Sequence, residues 1–121
     1  MKHFISFFLL LCALTIASYS QSDRWVYLGE HNNTPQYIDN QTILYNNQLN
    51  RYKVYVKLYD SDGSYQLLLE YVFCNERMIQ PISFNYFDKY GGFIKSSDTQ
   101  HEKYDIIPDS NPEDLYNYLC K

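Results

Sequence analysis

The chain has no basic run, no long apolar span and little glycine: 4 Gly among 121 residues, with 4 Pro, 2 Met and 1 Trp. Each shortage excludes a class of protein. Lys and Arg total 10 against 14 Asp and Glu, for a formal net charge of −4. An acidic chain without clustered cations is a poor nucleic-acid binder. No G-x-S-x-G, H-E-x-x-H or phosphate-binding glycine loop is present, so no catalytic or nucleotide motif points to an enzyme. His31 and His101 stand at no metal-ligand spacing from the cysteines. Both histidines fall in expected loops, where a solvated role is the simpler reading. No repeat, linker or low-complexity segment divides the chain after its first twenty residues. Neither a catalytic group nor a metal or cofactor site emerges from the residues.

The longest apolar run, Phe4 to Ala17, falls short of the roughly 20 residues that a membrane-spanning helix needs. It follows Lys2 and precedes Ser18-Tyr19-Ser20, which places small residues at the −3 and −1 positions before Gln21. This is the pattern of a secretory signal peptide over residues 1–20, leaving one domain over residues 21–121 and no transmembrane anchor after cleavage. Cys12 lies inside that run behind Leu11, which is not the small residue a lipidation site requires. Loss of Lys2 makes the remaining chain more acidic. The two remaining cysteines, Cys74 and Cys120, allow one intramolecular pairing, and an oxidising compartment favours it.

What the chain has in abundance is tyrosine, 14 in all. Tyrosine suits half-buried strands and contact surfaces, where the ring packs and the hydroxyl stays wet. The organising stretch is Arg51 to Cys74. Tyr52, Val54, Val56 and Leu58 alternate with Lys53, Tyr55, Lys57 and Tyr59, the period of a strand with two unlike faces. Asp60-Ser61-Asp62-Gly63 is a turn, and Ser64–Phe73 the returning strand. The Asp-x-Asp-Gly sequence also opens calcium loops, but the twelfth position is Tyr71 rather than a bidentate acid. Two registers remain open. A two-residue loop pairs Val56 with Leu69; a three-residue loop with Gly63 in a bulge pairs Val56 with Leu68, and one residue of slip exchanges the faces.

Further strands are expected at Arg24–Glu30, with Trp25 as a core anchor, at Gln36–Asp39, at Ile82–Tyr90, and at Phe93–Lys95, with Asn40–Tyr45 a short extended piece. Tyr104–Pro108 is extended. The last element is a helix with Asn111 as N-cap, Pro112 at its first position and acids Glu113 and Asp114 in its first turn. Leu115, Tyr118 and Leu119 share its apolar face. The expected architecture is α+β: an antiparallel sheet of about six strands backed by a C-terminal helix, with Cys74 bonded to Cys120. One short helix covers one face. The row Lys53, Tyr55, Lys57 and Tyr59 is then the candidate binding face, read either as a solvated or dimer surface or as a seat for an acidic or flat ligand.

Tyr37-Ile38-Asp39 with Ile43 beyond it, a long hairpin running into Cys74, Tyr86-x-x-Lys89-x-Gly91, Ile107-Pro108-Asp109-Ser110 and a closing helix with Cys120 together resemble the surface-adhesin protein E family of Gram-negative bacteria. The resemblance spans nearly all of residues 21–121. It implies a sheet backed by a helix through a disulfide, a secreted chain in the periplasm or on the outer cell surface, and a non-enzymatic adhesin that binds host matrix or serum proteins. It also implies a homodimer and the capacity to bind haem. Two departures stand out: the missing lipidation site at Cys12, and the absence of Lys and Arg from Leu58 to Phe73, where the family carries a basic stretch. The alternatives carried beside adhesion are a carrier of a haem-like ligand at a dimer face and a periplasmic inhibitor of a cell-wall enzyme.

Overall fold

The structure is a computed structural model that describes residues 24–98 and 101–121. The expected signal peptide and Cys12 lie outside the described residues. Eight strands form one antiparallel sheet: β1 (Trp25–His31), β2 (Thr34–Asp39), β3 (Leu44–Asn46), β4 (Arg51–Tyr59), β5 (Tyr65–Phe73), β6 (Met78–Phe87), β7 (Phe93–Ser97) and β8 (Tyr104–Asp105). A single described helix, α1 (Asn111–Cys120), closes the chain. Six strands run in the order β1-β2-β4-β5-β6-β7, while β3 adds to β4 and β8 to β6. The class is the one expected, but the sheet has more than six strands. The extended pieces expected over Asn40–Tyr45 and Tyr104–Pro108 join it as the short strands β3 and β8, of three and two residues.

The central hairpin settles its register through its turn. Asp60 N donates to Ser64 O at 2.8 Å and Gly63 N to Asp60 O at 3.1 Å, with Gly63 at φ 93°. A residue with a Cβ is strained there, so glycine permits this loop. Val56 therefore pairs with Leu68, Lys57 with Leu67 and Tyr59 with Tyr65, the register with the three-residue loop. The first hairpin is tighter. Asn32 and Asn33 both take positive φ, 53° and 62°, and join His31 directly to Thr34. Two left-handed residues in succession define the turn whose twist matches that of its strands. The turn is thus narrower than the five residues from His31 to Pro35 suggest.

β6 begins at Met78, before the proline that sequence reading places ahead of the strand. Pro81 is accommodated because the outer edge of β6 is shared. β8 pairs with Met78 and Ile79, β7 pairs from Phe84 onward, and Pro81 lies in the gap between them. A residue without an N–H belongs in such a gap. Its carbonyl instead accepts from His101 N at 3.1 Å.

The helix starts one residue earlier than expected. Ser110, not Asn111, is the N-cap: its backbone is extended and its side chain accepts from Glu113 N. Glu113 reaches back to Asp109 N at 3.2 Å, so cap and acid satisfy donors in both directions. Asn111 instead donates its amide to Thr34 O and accepts from Gln36 Nε2 on its carbonyl, fixing the start of the helix to β2. Leu115 is fully buried, and Tyr116 and Leu119 pack beside it. Tyr118 turns outward and bonds Asn40 Oδ1 at 3.0 Å, so it is not part of the apolar face.

The core lies between α1 and one face of the sheet. It consists of Ile38, Val54, Val56, Leu68, Val72, Ile79, Ile106 and Leu115. The Cys74–Cys120 disulfide, with Cα atoms 5.5 Å apart across 46 residues of sequence, fastens the end of α1 to the end of β5. Tyr116 Oη donates to the Cys74 carbonyl, and Arg77 pairs with Glu113 at 2.9 Å. At the other end of the helix, His31 meets Asp114 at 2.8 Å. Gly29 makes room for that pair: a Cβ at position 29 would stand 2.9 Å from the same Asp114 oxygen.

Candidate functional site: the open face of the sheet

Alternation along β4 and β5 sorts their side chains between two faces. Val54, Val56, Leu68 and Val72 point toward α1. Arg51, Lys53, Tyr55, Lys57 and Tyr59 on β4, with Tyr65, Leu67, Leu69, Tyr71 and Phe73 on β5, form the opposite face. Neither set contains a carboxylate. The four residues singled out from the sequence, Lys53, Tyr55, Lys57 and Tyr59, thus share this face. None of the described helical residues lies over it, because α1 packs on the other side.

Register brings one aromatic residue from each of the six main strands into line. Tyr27, Tyr37, Tyr59, Tyr65, Phe87 and Phe93 are in successive contact, with ring centroids 5.4, 5.7, 5.4, 5.0 and 5.8 Å apart. Such cross-strand aromatic pairs stabilise a sheet by more than their buried area. The line runs from one edge of the sheet to the other, and its ends are the most open: Tyr27 is 54% and Phe93 62% exposed. The sequence shows only that these residues are aromatic; their alignment depends on five strand registers at once.

Lys57 lies within this aromatic surface. Its ammonium is 4.2 Å from the Trp25 ring centroid and 5.1 Å from that of Tyr65. Burial, followed by the nearby positive charge of Arg24, lowers its pKa. Burial, then the neighbouring Tyr65 and Tyr37, raises that of the Tyr59 hydroxyl. Trp25 is therefore not the core anchor expected of it: it sits on the open face under a cation.

Two hollows indent this face. One, of about 220 Å³, is lined by Arg24, Trp25, Asp39, Thr42, Tyr55 and Leu67. Its floor is rigid. Asp39 is 2% exposed and accepts from Arg24 Nε and Nη2, at 3.1 and 3.0 Å, together with Thr42 Oγ1 and Gln41 N. Burial pushes the Asp39 carboxyl up, but these four donors outweigh it and hold its pKa below the usual range. The other hollow, of about 450 Å³, lies between β3 and the start of β4, against Arg51, Lys53 and Tyr71.

The histidines stay apart. His31 ends β1 and is tied to Asp114 rather than solvated in a loop, while the ring of His101 meets Phe84 edge-on at 5.2 Å. Among the described residues no group of three or more His, Cys, Asp or Glu is placed to hold a metal ion. No described helix is long and apolar enough to cross a membrane.

One titratable group escaped the sequence reading. Glu70 occupies the core face of β5 between Leu68 and Val72 and is only 5% exposed. Burial raises its pKa to about 7. Burial and the nearby Glu70 raise that of Tyr104, on β8, to about 12. The signal in the sequence was a lone acid in the apolar phase of an alternating strand.

Comparison of the chain with protein-family models, curated proteins and solved structures finds no match.

Proposed function

We propose that the protein is a non-enzymatic binding module, secreted or surface-associated, that engages a protein partner through the open face of its sheet. The observation that carries this reading is the uncovered aromatic and cationic surface itself. Rings from six strands are aligned across it, Lys57 lies among them, and β4 and β5 contribute no acid to it. Tyr and Arg are the side chains that most often anchor protein interfaces, because they bury large area at little entropic cost. A chain of net negative charge that gathers cations on one aromatic face favours an acidic partner surface there. The resemblance to the surface-adhesin protein E family supports the same reading and narrows the partner to host matrix or serum proteins of a Gram-negative bacterium's host.

The test is capture from serum on the immobilised domain, comparing the wild type with the double variant Tyr55→Glu, Lys57→Glu. A partner retained by the wild type and lost by the variant supports the reading. Equal capture by both sinks it, provided circular dichroism shows the variant folded.

The hollow bounded by Trp25, Tyr55 and Leu67, with Arg24 at its rim, favours a second reading. In it, a flat ligand such as haem lies on the open face, with two copies of the chain closing over it. A Soret shift on addition of haem, lost in Trp25→Ala, tests this directly.

A further inference from the structure

The groove between β3 and the start of β4 has a chemistry of its own. Its volume is about 450 Å³, in the range of small-ligand sites. Leu44 pairs with Lys53 and Asn46 with Arg51, so these four side chains share the open side of the sheet, with Tyr71 next to Lys53 on β5. Leu44 is 62% exposed.

The two charged side chains here, Arg51 and Lys53, can only donate. The Arg51 guanidinium lies 3.6 Å from the Tyr71 ring centroid, stacked on it. A guanidinium held over a ring keeps its N–H donors for an acceptor beside the ring. Among the described residues neither Arg51 nor Lys53 has a carboxylate partner, unlike Arg24, Arg77 and Lys103. The Asn46 side-chain oxygen is occupied by Gln48 N at 3.0 Å and Leu49 N at 3.1 Å, which leaves its amide hydrogens as the free end. The groove thus offers two positive charges, the Asn46 amide hydrogens, and an apolar wall from Leu44 and Tyr71.

We propose that this groove binds a phosphate monoester carried on a flat or apolar body. Such a group has a charge of about −1.5 to −2 at neutral pH and three acceptor oxygens. It matches two cations and a set of donors, whereas a simple carboxylate leaves one cation unpaired. The forked guanidinium takes two of the oxygens, Lys53 takes the third, and the body rests on Leu44 and Tyr71. The groove lies on the same open face and shares Lys53 with the candidate row, but Tyr55 and Lys57, the residues that test the protein-partner reading, do not line it.

Titration of the protein with phenyl phosphate, inorganic phosphate, benzoate and phenol, followed by NMR shifts, tests the proposal. Phenyl phosphate is expected to bind tightest, with shifts confined to β3 and the start of β4. Arg51→Ala and Lys53→Ala should each weaken it about tenfold or more, and Lys95→Ala, on β7, should leave it unchanged. If Arg51→Ala does not fold, Lys53→Ala carries the test. Vesicles of phosphatidic acid in phosphatidylcholine separate the two sources of the same group. Sedimentation with them, lost in Lys53→Ala, makes it a lipid headgroup; phenyl phosphate binding without sedimentation makes it a soluble ester. Benzoate binding as tightly as phenyl phosphate, no saturable shift with any phosphate, or full affinity in Lys53→Ala overturns the proposal.

Discussion

The two faces of the sheet are made from alternate residues of the same strands, yet they are finished in opposite ways. One is closed by α1, by Ile106 and by a disulfide, and its buried centre is aliphatic, with Ile38, Val54, Val56, Leu68, Val72 and Ile79 around the lone acid Glu70. The other is left open and is aromatic and cationic. Phe73 makes the contrast plain. It is buried yet stands outside the core cluster, with Lys103 4.5 Å and Arg51 6.0 Å from its ring centroid. Dry packing holds the first face together. On the second, rings and cations shield one another and their polar ends stay available. Stability should therefore concentrate on the helix side and recognition on the open side.

The sharpest break of that division is expected at the disulfide. Replacing Cys120 with Ser frees the end of a ten-residue helix, which is too short to persist unsupported. The loss should be on the order of 2–5 kcal/mol, measured by urea denaturation. Leu115→Ala should cost a similar amount, about 2–5 kcal/mol, by opening a cavity against a fully buried neighbourhood. Neither change should shift the near-ultraviolet signal of the open-face tyrosines while the fold persists. A collapse of that signal in a still-folded Leu115→Ala protein would show that the two faces are not separable.

Glu70 sharpens the comparison from the closed side. With its pKa raised to about 7 in the folded state, above an ordinary 4.5, the folded protein holds a proton that the unfolded chain releases first. The stabilisation this gives is fully present below about pH 4.5 and lost as pH rises through about 7. The span corresponds to about 3 kcal/mol as an order of magnitude. Glu70→Gln should remove this contribution to the pH dependence and stabilise the protein at pH 8. Denaturation midpoints at pH 5 and pH 8 in both proteins measure it. If the wild type is no less stable at pH 8 than the variant, the carboxylate finds water when it ionises.

Local features were legible in the sequence where one segment determined them. The central hairpin and the acidic first turn of the helix need no distant information, and the two cysteines beyond residue 20 allow a single pairing. The register of that hairpin stayed open because Val56 meets a leucine in either alignment, and only the loop geometry at Gly63 chooses. The cap was misplaced by one residue because Ser110 and Asn111 are both good caps, and the choice falls to Asn111's bonds with Thr34 and Gln36, more than seventy residues away. Trp25 was misassigned for a similar reason: its face depends on pairing with Asp39. Of the candidate site, the β4 row was visible as an alternation. The aromatic line and the groove beside β3 were not, because each is assembled from several strands.

The smallest expected effect lies at two adjacent residues of β4 that face opposite ways. Val56 is fully buried between Ile38 and Leu68, and Lys57 lies among Trp25, Tyr59 and Tyr65. Val56→Ala removes core packing and should destabilise by about 1–3 kcal/mol. Lys57→Met keeps the aliphatic stem and removes only the charge. The ammonium gains roughly 0.5–1 kcal/mol from the rings beneath it, but burial has already lowered its pKa, a sign that hydration was given up to reach that position. These two effects oppose each other, so Lys57→Met should leave stability within about 0.5 kcal/mol of the wild type. On the proposed reading, in which the cation serves recognition and little of the folding, its partner capture should nevertheless fall. Chemical denaturation and serum capture on the same two variants decide the matter. Should Lys57→Met unfold the domain as readily as Val56→Ala, the open face would be a second structural core, and the division between a stabilising and a recognising face would fail.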